Sequence, residues 1–369
     1  MKRQLGRLIV TLIVLSTCAL GQVSKEQIDA IFRPLVKDQG PGMAVGVIRD
    51  GKLVFAKGYG VADLEKGTRI TPDTDFRLAS VTKQFTAMAI MLLVHDGKLQ
   101  YDETLTKIFS EFPQYGRDIT IRELLNHTSG LKDYGEIYLK QMGENTPMDQ
   151  VPQLLDKDVL KIMEQQTGTS FPPGTKWEYS NSGYAVLAMV IEKVSGQPYE
   201  DFVRERIFKP LGMKKTVAFV NGVNEVPNRA FGYNKDKATG KFALGDQSPT
   251  SAVLGDGGIY TSIREMAKWD KGLREHKLLS EAEMREALTP VAVAEGRKRK
   301  DETMLEYGFG WFLDPYKRHE RQYHDGGTTG FRTTIQRFPK DGLTVIVLAN
   351  RTDLDPDAEA LKVADLYLK

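Results

Sequence analysis

A serine and a lysine three positions apart, Ser80 and Lys83, stand at the start of an apolar run in this 369-residue sequence. On a helix these side chains share one face, so the lysine amine could take the proton of the serine hydroxyl. That arrangement would make Ser80 a nucleophile toward a carbonyl carbon. The alternative is a helix cap, which would explain Ser80 but leave Lys83 without a role. The local pattern alone favours neither interpretation.

A second Ser-x-x-Lys pattern, Ser129 to Lys132, lies beside Gly130 in a break between helices. A serine there is typical of a turn or cap, and Lys132 has no fixed direction. Ser80 instead precedes a segment, 85–94, that is apolar on all faces and is predicted to be buried. Free N–H groups and the positive end of the helix dipole lie at such a helix start. These conditions favour Ser80 as the nucleophile.

The triplet Tyr179-Ser180-Asn181 precedes another predicted buried helix. A tyrosine near a lysine amine can lose or share its proton more readily, because the cation favours phenolate. Asn181 offers both a hydrogen-bond donor and an acceptor. The alternative for Tyr179 is a side chain that simply packs at a helix start.

A glycine-rich box with the sequence YHDGGTTG, residues 323–330, precedes a predicted strand. Its glycines would let the backbone of a substrate approach closely. The same His-Asp-Gly tripeptide at 95–97 is interpreted as a helix end, with Gly97 as the C-terminal stop. His324 is therefore the histidine of interest, and a purely structural role is the alternative.

Elements that could position these residues follow a clear order along the chain. Helical spacing at 24–39, hairpin patterns at 43–63 and 333–351, and a closing helix at 357–369 surround a middle region rich in helical patterns. We predict an α+β fold in which an antiparallel sheet is flanked by helices and an all-helical domain is inserted. The predicted sheet domain comprises 22–76 and 250–369, and the predicted helical domain comprises 77–249. The active site is expected at their interface.

The composition sets limits on partners. With 51 basic and 49 acidic residues, the net charge of +2 indicates no nucleic-acid partner. The five histidines form no HExxH motif and the single cysteine lies near the N-terminus, so we predict no metal site and no cofactor. No Gly-x-Ser-x-Gly motif of an α/β-hydrolase occurs. We expect a monomer that acts on a small-molecule or peptide substrate.

The N-terminal segment has the pattern of a secretory signal peptide. Basic residues precede the apolar run 8–20, and Ala19-Leu20-Gly21 provides a small-x-small cleavage site. The run is short for a membrane span. We therefore predict a signal peptide over 1–21 and a bacterial periplasmic or secreted protein without a membrane span after cleavage. A retained anchor and lipid attachment at Cys18 are less favoured, the latter because Thr17 is unusual before such a cysteine.

Several short motifs, each weak alone, occur together in a characteristic order. They are Ser80-Val81-Thr82-Lys83, Leu124-Leu125-Asn126-His127-Thr128-Ser129-Gly130-Leu131, Pro173-Gly174, Tyr179-Ser180-Asn181, Gly257-Gly258-Ile259-Tyr260-Thr261-Ser262 and the box around His324. In this order the chain resembles the serine hydrolases grouped with class C β-lactamases, penicillin-binding DD-peptidases and their esterase relatives. The resemblance extends over nearly the whole chain after the signal peptide and implies a β-lactamase/transpeptidase-like fold.

The resemblance also implies a role for each matching residue. Ser80 would form an acyl-enzyme, Lys83 and Tyr179 would share the proton transfers, and Asn181 would hold the substrate or Lys83. The backbone N–H groups of Ser80 and Gly327 would form the oxyanion hole.

One departure from the family pattern affects the expected substrate. Gly326 matches the glycine of a Lys-Thr-Gly box, whereas His324 replaces its lysine. The lysine keeps a cation near a substrate carboxylate, but histidine is largely neutral at pH 7. We therefore expect an ester, an amide or a D-amino-acid peptide as substrate. The alternatives are a true class C-like β-lactamase and a non-catalytic binding protein that retains the fold.

Overall fold

The computed structural model describes residues 23–143, 146–148, 150–293, 295–298 and 304–368. The predicted signal peptide, with Cys18, lies outside these ranges. Among the described residues, no helix combines the length and apolar character needed to cross a membrane.

The described ranges contain short strands and helices in alternating groups. The strands are β1 (Met43–Arg49), β2 (Lys52–Tyr59), β3 (Val61–Asp63), β4 (Thr68–Arg69), β5 (Phe76–Arg77), β6 (Val217–Ala218), β7 (Tyr233–Lys235), β8 (Phe242–Leu244), β9 (Ile259–Thr261), β10 (Gln322–Thr328), β11 (Phe331–Phe338) and β12 (Leu343–Ala349). The α-helices are α1 (Lys25–Phe32), α2 (Lys83–His95), α3 (Leu105–Ile108), α4 (Ile121–Leu125), α5 (Tyr134–Met142), α6 (Asp156–Glu164), α7 (Asn181–Ser195), α8 (Tyr199–Val203), α9 (Lys209–Leu211), α10 (Leu254–Gly257), α11 (Ile263–Arg274), α12 (Glu281–Ala287) and α13 (Pro356–Tyr367).

The main sheet is antiparallel and joins the two ends of the chain. Its five strands lie in the order β10-β11-β12-β1-β2. The N-terminal and C-terminal hairpins meet where β1 pairs with β12, from Met43 opposite Ala349 to Arg49 opposite Leu343. The first hairpin closes at Asp50 and Gly51, whose φ angles of 50° and 76° suit a two-residue turn. The expected α+β architecture is confirmed.

Both faces of the central strands are covered. Met43, Val45 and Val47 of β1 pack in a core with α1 and α13, while Ala44 and Ile48 face a second core. That second core is continuous with the helices α2 and α7. Because side chains alternate between the two faces of a strand and both faces are covered, β1 and β12 are apolar at most positions rather than at every second residue.

Contrary to the predicted all-helical insertion, the region 77–249 contains the short strands β6, β7 and β8, which all follow its last helix, α9. Strands of two or three residues are too short to produce an alternating pattern. One of them, β6, joins β9 and β5 in a small sheet that leads directly to Ser80. The division of the chain at 76/77 and 249/250 stays a prediction.

The glycine box precedes a strand, β11, as predicted, but most of the box is itself a strand. It forms the edge strand β10, paired with β11 from Gln322 opposite Arg337 to Thr328 opposite Phe331. Pairing uses backbone groups, so a glycine-rich segment of low strand propensity can still form an edge strand.

Candidate active site

Ser80 lies on a turn between β5 and α2. The residues Ala79–Thr82 form a 3-10 turn, and Ala79 has a φ of 49°. A left-handed backbone is uncommon for alanine, and residues with such strain of about 1–3 kcal/mol cluster at active sites. Ser80 is the second residue of the turn, where backbone N–H groups lack partners within the helix. The Ser80 side chain is half-buried, and its backbone N–H has no acceptor among the described residues.

The amine of Lys83 is fully buried and contacts three oxygen atoms. It donates to Ser80 Oγ at 3.2 Å, Asn181 Oδ1 at 2.9 Å and the Asp256 backbone carbonyl at 3.0 Å. An ammonium group has three N–H donors, so each donor has an acceptor. The structure thus brings together Ser80, Lys83 and Asn181, as the sequence predicts.

Burial changes the proton affinity of Lys83. Removal of the side chain from water lowers its pKa to about 8, although Asp256 and Asp325 act in the opposite direction. A lysine with this pKa is neutral far more often near pH 7 than an exposed lysine. The neutral amine can accept a proton from the Ser80 hydroxyl, which lies within hydrogen-bond distance.

Tyr179 lies beside the same amine but is not positioned as expected. The Lys83 Nζ atom is 4.9 Å from the centre of the Tyr179 ring, and the phenol oxygen is buried without a hydrogen-bond partner among the described residues. Burial raises the pKa of Tyr179 well above 10, and the nearby Ser80 hydroxyl lowers it by a smaller amount. The Tyr179 and Ser80 hydroxyls nevertheless do not meet hydrogen-bond geometry. The expectation of an easily formed phenolate is therefore wrong. A neutral phenol is a proton donor.

The carbonyl of Asp256 is fixed by contacts that sequence reasoning missed. The Asp156 carboxylate accepts from the N–H groups of Leu254 and Gly255, at 2.7 and 3.0 Å, and so caps the N-terminus of α10. The Tyr134 hydroxyl donates to Asp256 Oδ2 at 2.8 Å. A backbone acceptor carries no residue signature, so only the glycines adjacent to Asp256 hint at this contact in the sequence.

His324 is buried on β10 with both ring nitrogens occupied. Its Nδ1 lies 2.6 Å from the Asp325 carbonyl and therefore donates, so Nε2 accepts from the Tyr307 hydroxyl at 3.1 Å. Burial lowers the pKa of His324 to about 4; Asp325 opposes this shift and Lys83 adds to it. His324 is consequently neutral at pH 7. Tyr307 was missed because its segment has no regular apolar spacing.

Gly326 has a packing role that differs from the expected one. A Cβ atom on Gly326 would come within 2.3 Å of both the Leu78 carbonyl oxygen and Thr333 Oγ1. The same carbonyl accepts a hydrogen bond from Thr333 Oγ1 at 2.7 Å. The absence of a side chain thus lets β10 pack against the turn that carries Ser80. The expected contact of Gly326 with the substrate backbone stays a prediction.

Gly327 is exposed on the same strand, and its N–H direction follows from the pairing. Tyr323 exchanges both of its backbone hydrogen bonds with Phe312, on the edge of β10 away from β11. Hydrogen-bonding direction alternates along an antiparallel strand, and the β10–β11 register has no shift. The Gly327 N–H therefore points to the open edge of β10, one residue beyond the contact of Gly326 with the Ser80 turn.

The second Ser-x-x-Lys pattern and the second His-Asp-Gly tripeptide both have structural roles. Ser129 is buried and its Oγ accepts from the Leu131 N–H at 3.4 Å, which is typical of a serine turn. Helix α2 ends at His95, and Gly97 follows with a φ of 69°. Both observations agree with the sequence predictions for these positions.

Known proteins resemble this chain over most of its length. A penicillin-binding protein of Bacillus subtilis (strain 168) is 29% identical over 359 residues, which cover 94% of this chain and 76% of that protein. The octameric penicillin-binding protein homologue from Pyrococcus abyssi has a TM-score of 0.78 and 27% identity, covering 93% of this chain and 75% of that chain. The expected monomeric state of this chain stays a prediction.

A second solved structure gives similar values. The D-amino acid amidase from Ochrobactrum anthropi SV3, complexed with L-phenylalanine amide, has a TM-score of 0.75 and 26% identity, covering 92% of this chain and 97% of that chain. The sequence profile of the Beta-lactamase family matches residues 28–368. The chain therefore belongs to the Beta-lactamase family and is a serine hydrolase.

Proposed function

We propose that this protein cleaves esters, amides or D-amino-acid peptides through an acyl-enzyme on Ser80. The contact between the buried Lys83 amine and Ser80 Oγ, at 3.2 Å, carries the proposal. A non-catalytic binding protein would have no need to bury a lysine beside an accessible serine hydroxyl, because burial of a charged group costs free energy.

The proposed reaction begins with the neutral Lys83 amine. Ser80 Oγ attacks the carbonyl carbon and its proton passes to Lys83, while the carbonyl oxygen becomes an oxyanion. The N–H groups of Ser80 and Gly327 stabilise this oxyanion. The Tyr179 phenol protonates the leaving alcohol or amine and is reprotonated through Lys83. Water then hydrolyses the acyl-enzyme by the same groups in reverse order, which releases the acid and frees Ser80.

The proposed substrate class rests on His324. A neutral, doubly hydrogen-bonded imidazole supplies no cation for a substrate carboxylate at pH 7. This favours substrates without an essential carboxylate over β-lactams. The similarity to a D-amino acid amidase supports the same preference.

One observation favours β-lactamase activity as the second candidate. Arg332 lines a cavity of about 680 Å³ that also reaches Gly326 and Gly327. Its guanidinium is held by the carbonyls of Thr328 and Phe331, both at 2.8 Å from Nη1. The Arg332 guanidinium, held at this position, could attract a substrate carboxylate and so take the role of the lysine that His324 replaces.

The signal-peptide pattern of 1–21 supports export to the bacterial periplasm or beyond the cell. In that location the substrates would be extracytoplasmic esters, amides or peptides.

The nucleophile is tested by covalent labelling with a fluorophosphonate probe, measured as a mass increase of the intact protein. Ser80→Ala is expected to abolish labelling because Ser80 is the one serine whose hydroxyl contacts the buried Lys83 amine among the described residues. Ser129→Ala is the matched control and should label like the wild type, since the buried Ser129 hydroxyl accepts a hydrogen bond within its own turn. Labelling that survives Ser80→Ala would contradict the proposal.

The oxyanion role of Gly327 is tested by two substitutions at one position. Gly327→Ala keeps the N–H, and its Cβ would lie no closer than 3.5 Å to a neighbouring atom, so activity should be retained. Gly327→Pro removes an N–H that points to the open edge of β10, and kcat should fall about 10²–10³-fold. Thermal unfolding checks that both variants are folded. Equal kcat values for the two variants would exclude Gly327 as an oxyanion donor.

The substrate class is tested by comparing kcat/KM for nitrocefin, p-nitrophenyl butyrate and a D-amino acid amide. We expect the wild type to prefer the ester or the amide. His324→Lys should shift the preference toward nitrocefin, because lysine would supply the cation that the neutral histidine lacks. A wild type that hydrolyses nitrocefin far better than the other two substrates would make β-lactamase activity the correct assignment.

A further inference from the structure

His127 contacts the segment that carries Tyr179 on both sides of that tyrosine. The His127 carbonyl accepts from the Glu178 N–H at 3.0 Å, and the His127 Nδ1 accepts from the Ser180 N–H at 3.1 Å. The imidazole also packs on the Tyr179 ring, with the ring centres 4.3 Å apart. One residue thus makes three separate contacts with residues 178–180.

The conformation of His127 is unusual and costly. Its φ is 64°, a left-handed value that costs about 1–3 kcal/mol in residues other than glycine. The side chain is fully buried, and the contact with Ser180 places the ring proton on Nε2, which has no hydrogen-bond partner among the described residues. Stability alone does not explain a strained residue with an unsatisfied buried donor.

The charge state of His127 suits these contacts. Burial, together with the nearby Lys83 and His324, lowers the pKa of His127 well below 6.5. The neutral ring keeps a lone pair on Nδ1, so the hydrogen bond from Ser180 is maintained at neutral pH.

Tyr179 depends on such external support. Its hydroxyl has no hydrogen-bond partner among the described residues, so the phenol oxygen is not held by a contact of its own. Its position must be set through its backbone and its ring, and His127 contacts both.

We propose that His127 is a positioning residue that fixes Tyr179 for proton transfer. The inference rests on the proposed function of Tyr179 as the proton donor of the reaction. A displacement of the phenol by about 1 Å would reduce turnover roughly 10²-fold without a comparable effect on substrate binding.

The first test compares His127→Ala with His127→Asn on a D-amino acid amide, because its amine leaving group must be protonated before it departs. Asn carries Oδ1 on Cγ, where histidine carries Nδ1, and Asn tolerates a positive φ. His127→Ala should lower kcat about 100-fold with KM changed less than about threefold, and His127→Asn should recover to within about tenfold of the wild type. If the Ala variant fails to fold, kcat is compared between the Asn variant and a Gln variant. The side-chain acceptor of Gln lies one atom further from the backbone than that of Asn.

The second test is a double-mutant cycle with Tyr179→Phe. If His127 acts through Tyr179, adding His127→Ala to Tyr179→Phe should lower kcat by no more than about threefold. Trp177→Phe is the matched control. Trp177 packs with Tyr307 and Phe312 in an aromatic cluster that Tyr179 also contacts, and its Nε1 has no hydrogen-bond partner among the described residues. The Trp177→Phe variant should keep kcat within about threefold of the wild type.

These measurements separate a failure of the positioning role from a failure of the Ser80 assignment. Multiplicative losses in the cycle, or a folded His127→Ala variant with wild-type kcat, would overturn the positioning role while Ser80 labelling remained intact. Wild-type kcat in Tyr179→Phe would contradict the donor role of Tyr179 and the inference together. Loss of the Ser80 assignment appears separately, as labelling of the Ser80→Ala protein.

Discussion

The burial of one lysine amine is the constraint on which the rest of this structure depends. A charged amine removed from water is costly unless every donor finds an acceptor. The three acceptors of Lys83 come from the turn before α2, from the first residue of α7 and from α10. All three acceptors are uncharged oxygens. They therefore satisfy the N–H donors of Lys83 but do not replace all of the stabilisation that water gives to an ammonium charge. The proton is therefore held less tightly than on an exposed lysine, and this property makes the neighbouring serine reactive.

The fold brings these distant segments together. Asn181 and Asp256 lie 98 and 173 positions from Lys83 in the sequence. They meet because α2, α7 and α10 pack in one apolar core, which continues onto the inner face of the sheet formed by both chain ends. The edge strand β10 completes the site from the other side, where Gly326 allows close packing against the Ser80 turn. The capped α10 and the contacts of His127 with residues 178–180 fix the groups that do not lie on long helices.

The sequence predicts the parts of this arrangement that depend on periodicity and turn chemistry. Helical spacing places Ser80 beside Lys83, and the pattern of 43–63 predicts the first hairpin. Other parts depend on burial or on backbone atoms. The Asp256 carbonyl carries no residue signature, the direction of the Gly327 N–H requires the strand register, and the strand β10 is concealed by its glycines. The charge of Tyr179 was predicted wrongly because proximity to a cation is visible in a motif, whereas the loss of water around a phenol is not.

The protonation of Lys83 can be measured directly by NMR titration of protein labelled with ¹³C and ¹⁵N at lysine, with Lys83→Arg used to assign the resonance. Below its pKa the amine is an ammonium that cannot take the Ser80 proton; above it the amine is a base. We expect a midpoint near 8 for Lys83, because burial lowers its pKa to that value. A midpoint near 10.5, the ordinary lysine value, would show that the amine is not tuned by burial and would contradict its role as the base.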